Sequence, residues 1–88
     1  MKEITSPQNT YIKQLVQLKD KSRERKKTGI FLIEGEREIS LALKGGYELE
    51  TVLFYRELFS EKKLNDFAPH PFDTIEISKD VYQKLAYR

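Results

Sequence analysis

The sequence predicts an α/β layer structure with a small, mainly parallel sheet. Short apolar runs of strand length alternate with segments whose apolar residues recur at helical spacing. Strand–helix–strand order of this kind joins parallel neighbours through right-handed crossovers. The 39% apolar and 11% aromatic content supplies enough side chains for one modest core, so a disordered chain is excluded.

Taken in order, Met1 to Thr5 is short and extended. Ser6-Pro7 predicts a helix start, because Ser accepts from a free N–H and Pro suits the first helical position. Tyr11, Ile12, Leu15, Val16 and Leu18 form a stripe that predicts a helix over 7–19, with Lys13, Gln14 and Gln17 on its other side. Asp20 to Lys27 has no apolar residue. A short, mobile, exposed helix and a loop ordered only on binding both fit it, and residue preference favours the helix. Gly29 ends it in either case.

Ile30 to Ile33 reads as a strand covered on both faces, since all four residues are apolar. Glu34-Gly35 closes it. Ile39, Ala42 and Leu43, flanked by Leu41, predict a helix over 36–44 stopped by Gly45-Gly46. Thr51 to Tyr55 reads as a second buried strand. Leu64 and Phe67 mark a weaker helix after Ser60, broken by Pro69, His70 and Pro71. Thr74 to Ile77 alternates like a shorter strand near a sheet edge. Ser78 then caps a last helix that buries Val81, Tyr82 and Leu85. The ending Leu85-Ala-Tyr-Arg88, with no Gly, Pro or polar tail, reads as a cut just after a domain.

The 88 residues make one domain, 1–88. Cysteine is absent, so thiolate and disulfide chemistry are excluded, and a reducing, cytoplasmic setting fits best. No apolar run approaches the roughly 20 residues of a membrane span. The net charge of +2 is unevenly spread. Residues 1–30 hold eight Lys/Arg against three Asp/Glu, and residues 31–88 hold eight against eleven. A domain with one polyanion-binding face has this asymmetry. So does a domain whose cations coat a solvated helix.

Catalytic chemistry finds little support. His70 is the one histidine, and its place between two prolines suits a solvated loop. No spacing of His, Cys and carboxylates suits a metal, and neither phosphate-cradling glycine motif occurs. No residue is expected to be catalytic or to bind a metal.

Nucleic-acid binding is the chemistry with positive signs. Lys19, Lys21, Arg23, Arg25, Lys26 and Lys27 lie within nine residues, opposed by Asp20 and Glu24. Phosphate contacts from several of them would make affinity strongly salt-dependent. Arg also stacks on unpaired bases and grips phosphate with two donors, which suits folded RNA. Gly35 permits close backbone approach, and Arg37 falls in the first turn of a helix whose N–H groups favour anions. A salt bridge from Arg37 to Glu34 or Glu38 is the competing reading.

A resemblance sharpens this. Ile4-Thr-Ser-x-x-Asn9, then Ile12-Lys-x-Leu15, the basic Arg23 to Lys27 and Gly29 through Glu34-Gly35 to Arg37 resemble the amino-terminal substrate-binding domain of SpoU-type (TrmH-like) RNA ribose methyltransferases. The similarity continues through Ala42 to Gly46, Val52 to Tyr55, and Ile77 to Leu85. It implies an L30e-like three-layer α/β/α fold. It implies a longer parent protein, whose catalytic domain binds S-adenosylmethionine, methylates a ribose 2′-hydroxyl and forms a homodimer. Positions associated with RNA in that family map here onto Asn9, Lys13, Arg23, Arg25, Lys26, Lys27, Glu34, Gly35 and Arg37. The catalytic motifs are absent, so this chain alone is expected to be inactive and to need no cofactor.

The expectation is therefore an RNA-recruiting domain, acting on ribosomal rather than transfer RNA, with no membrane partner. Lys21, Arg23, Arg25, Lys26 and Lys27 would meet backbone phosphates. Arg37 with Gly35 would form a more selective contact, oriented by Glu34. The alternatives are a free-standing L30e-like RNA-binding protein and a protein–protein interaction domain with a solvated charged linker.

Overall fold

The computed structural model describes residues 2–64 and 72–86. Within them run β1 (Lys2–Ile4), α1 (Thr10–Asp20), α2 (Ser22–Thr28), α3 (Glu36–Lys44), β2 (Thr51–Phe54), α4 (Glu61–Leu64), β3 (Asp73–Ile77) and α5 (Lys79–Ala86). The expectations for Phe67, Pro69, His70 and Pro71 lie outside the described residues.

The three strands are parallel, in the order β1-β3-β2. Ile4 pairs with Ile77 and Leu53 with Ile75. Side chains alternate across a strand, so Ile4, Leu53, Ile75 and Ile77 share one face, and Val52, Phe54, Thr74 and Glu76 share the other. The first face packs under α1 and α5. Ile12, Leu15 and Leu18 meet Ile75, Ile77 and Val81 there, with Ile12 and Val81 wholly buried. Each such side chain contributes about 1.5–3 kcal/mol by leaving water. The second face packs Val52 and Phe54 against Leu64 of α4, with Leu49, Phe59 and Phe72 around them. Helices on both faces of a small parallel sheet give the expected three-layer α/β arrangement.

The helix ends follow their local chemistry. Asn9, not Ser6, caps α1: its Oδ1 accepts from the Tyr11 N–H at 2.9 Å. Ser6 instead closes a tight turn, accepting from the Gln8 N–H at 3.1 Å through Oγ, so the helix begins three residues later than Pro7 suggests. Gly45-Gly46 stops α3 as expected. Tyr47 N–H reaches Ala42 O and Gly46 N–H reaches Leu43 O, the paired closure of a Schellman motif, with Gly46 at φ 89°. Ser78 caps α5, accepting from the Val81 N–H while donating to Thr5 O. Lys19 Nζ donates to Leu85 O, tying α1 to α5, and Lys84 Nζ donates to Pro7 O, tying α5 to the turn before α1.

Two strand expectations are corrected. Residues 30–33 form no strand. Ile30 and Leu32 pack on the first core, while Phe31 and Ile33 stand exposed. Four apolar residues in a row thus line the rim of a small core and are covered on one side only. Thr74 to Ile77 belongs to the central strand, not an edge. Its alternation has another cause, because Glu76 faces the second layer and is held there by Arg56. Arg56 Nε and Nη2 donate to the two Glu76 oxygens at 3.0 and 2.8 Å.

Candidate nucleic-acid interface

The basic segment is a helix in its own right. α2 follows α1 after the extended Lys21, and ends at Gly29 with φ 72°, whose N–H closes on Arg25 O. Thr28 Oγ1 donates to Glu24 O and accepts from the Ile30 N–H, which turns the chain into the next segment. Nothing on α2 is buried. An exposed helix of seven residues is too short to persist on its own preferences, so it must be held by a neighbour.

Arg25 does the holding. Its Nη1 donates to Leu18 O at 2.7 Å and Lys19 O at 2.9 Å, satisfying carbonyls that the end of α1 leaves open. The residue expected to grip phosphate therefore makes the joint between the two helices. Helical spacing of about 100° per residue then sorts the remaining cations. Arg23 and Lys27, at i and i+4, stand on the side of α2 opposite Arg25, and Lys26 lies between them and Arg25, roughly 100° round the helix. All three are exposed, and among the described residues none has an ion-pair partner. Lys21 is likewise exposed and unpaired at the start of α2.

The other candidates belong to other segments. Asn9 and Lys13 are exposed at the beginning of α1, and Lys13 is on the order of 12 Å along the helix direction from Lys21. Asn9 has the capping role already described. Gly35 sits immediately before α3 with φ 100° and ψ 147°, a conformation that glycine adopts readily and other residues do not. Arg37 in the first turn of α3 is exposed and pairs with neither Glu34 nor Glu38. Glu34 is exposed beside it. The first turn of α3 also carries Glu36 and Glu38, which already suit its positive end. A phosphate there would face two carboxylates, so α2 presents the more favourable field.

One feature escaped sequence reasoning. An open groove of about 380 Å³ is walled by Leu18, Lys19, Arg25, Phe31 and Leu32, joining the end of α1, α2 and the 30–33 segment. Phe31 is 45% exposed and Tyr47 58% exposed. Their rings meet edge to face at 5.3 Å and 81°. An aromatic four residues after the last cation of a basic run was the available signal, but an all-apolar run reads first as core.

Among the described residues no group of three or more His, Asp and Glu is placed to hold a metal, and no helix is long and apolar enough to cross a membrane. The chain's residues 9–88 match the family described as the MRM3-like substrate binding domain. No curated protein matches it. The match spans nearly the whole chain, and the chain belongs to that family, one of RNA substrate-binding domains of methyltransferases.

Proposed function

We propose, with membership of this family as the premise, that the chain recruits ribosomal RNA for an S-adenosylmethionine-dependent ribose 2′-O-methyltransferase. The observation that carries the reading is the triple-cation face of α2: Arg23, Lys26 and Lys27 are exposed, aligned and, among the described residues, unpaired. Such a face tracks a phosphate backbone without reading sequence. Lys21 extends it, and Asn9 and Lys13 give a second, separate contact along α1. Arg37, beside the bend at Gly35 and Glu34, supplies a donor fork at the start of α3. Arg25 acts by holding α2 in place.

The catalytic step belongs to a separate methyltransferase domain of the same protein, which binds the cofactor and forms the homodimer, in the cytoplasm. The groove between α1 and α2 does not fit S-adenosylmethionine. Among the described residues its walls bring Lys19 and Arg25 and no carboxylate, whereas the cofactor's sulfonium and ammonium charges need acceptors. This chain contributes binding and orientation.

Filter binding of a structured 23S ribosomal RNA fragment tests the reading. Arg23→Ala/Lys26→Ala/Lys27→Ala should weaken binding by about tenfold or more. It should also flatten the plot of log affinity against log salt by about two units, at roughly 0.7–0.9 per lost phosphate contact. Unchanged affinity and slope would remove α2 as the RNA surface.

A further inference from the structure

We infer that Phe31, braced by Tyr47, is a stacking seat for one unpaired RNA base, next to the phosphate-binding face of α2. The inference rests on the RNA-binding reading and adds to it a contact of a different chemistry.

Three observations converge on it. Phe31 and Tyr47 are large apolar rings that the fold leaves 45% and 58% exposed, so they are not consumed by the core. Their edge-to-face contact uses the face of one ring and the edge of the other. Whichever ring supplies the edge, each keeps at least one face that this contact does not cover. Phe31 also shares its groove with Arg25 of α2, whose helix carries Lys26 roughly 100° round from Arg25 and Arg23 and Lys27 beyond it.

A strand of RNA offers what this groove lacks: flat apolar bases joined to anionic phosphates. An aromatic ring beside a cationic wall is the pairing by which single-stranded nucleic acid is held, one base on a π-face and its phosphates on Lys and Arg. Arg25 gives Nη1 to two neutral carbonyls and so keeps its positive charge in this wall, which favours an anionic occupant over a purely apolar one. A base inserted there would come from a loop or bulge, since a paired base has no free face.

The test compares two RNAs and three variants of the chain by fluorescence anisotropy. The RNAs are a labelled hairpin with an unpaired loop and a blunt duplex of the same length. Phe31→Leu keeps an apolar side chain on the rim but removes the π-face, and Phe31→Tyr keeps the face. Phe31→Leu should weaken hairpin binding about tenfold, with the salt slope and the duplex affinity unchanged, and Phe31→Tyr should bind like the parent chain. Circular dichroism should show all three chains equally folded. If Phe31→Leu binds the hairpin like the parent while Lys26→Ala/Lys27→Ala is weakened, the stacking seat is wrong and the phosphate face stands. If the parent chain binds neither RNA, both readings fall. If Phe31→Leu leaves RNA binding intact but turns a self-associated chain monomeric in sedimentation, the rings serve a second copy of the chain and the inference is overturned.

Discussion

At the scale of single residues, the chain separates cations that build from cations that remain available. Arg25, Lys19 and Lys84 spend their donors on backbone carbonyls, and Arg56 is committed to Glu76. Arg23, Lys26, Lys27 and Arg37 have no such commitment among the described residues. Arg25→Ala should therefore cost on the order of 1–3 kcal/mol in urea unfolding, through two lost charge-assisted bonds to carbonyls that stay half-buried. Lys26→Ala should stay within about 0.5 kcal/mol of the parent. Joint replacement of Arg23 and Arg25 would mix these two effects, so it measures RNA contact poorly.

Glu76 makes a second residue-scale prediction. The hydrogen bonds from Arg56 hold its carboxyl below the ordinary value of 4.5, the charge of Arg56 adds to this, and partial loss of water opposes it. A carboxylate whose pKa is lowered by folding stabilises the fold above its ordinary pKa and loses that contribution as pH falls through the lowered value. The stability gap between the parent and Glu76→Gln should be widest near neutrality. It should close as pH drops from 4.5 downward, measured by urea unfolding at a series of pH values. A gap that stays constant would show that the pair acts by packing alone.

At the scale of elements, the helices were the legible part. Apolar spacing and the Gly45-Gly46 stop placed α3 at 36–44, and Ser78 marked the start of α5, because helix ends answer to local chemistry. The strands were less legible, because a strand's place in a sheet is settled by partners distant in sequence. Glu76 made a central strand look like an edge, since its partner Arg56 lies 20 residues away. Phe31 and Ile33 made a rim look like a core. The α2 face was legible as charge but not as a surface, since nothing local tells Arg25 to turn toward α1. Gly35 supplies the element-scale test. With φ at 100° and no atom within 4 Å of an added Cβ, Gly35→Ala should cost about 1–3 kcal/mol through backbone strain alone. Gly45, at φ −81°, should accept Ala with little loss. Equal effects of the two in urea unfolding would show that the bend before α3 is not held by Gly35.

At the scale of the whole molecule, a small sheet packed on both faces serves as the mount for one exposed helix. Core, caps and lysine ties hold α1 and α5 on one side, and α1 in turn holds α2 through Arg25. Membership of a substrate-binding family agrees with a role in recruitment. That role depends on one claim, that α2 is where RNA lands. Amide chemical-shift mapping of the chain with a structured 23S ribosomal RNA fragment tests it most directly. The largest changes should fall on Lys21 to Thr28 and continue through Phe31 to Arg37, shrinking as salt is raised. Changes concentrated on α4 and the outer side of α5, with α2 silent, would contradict it.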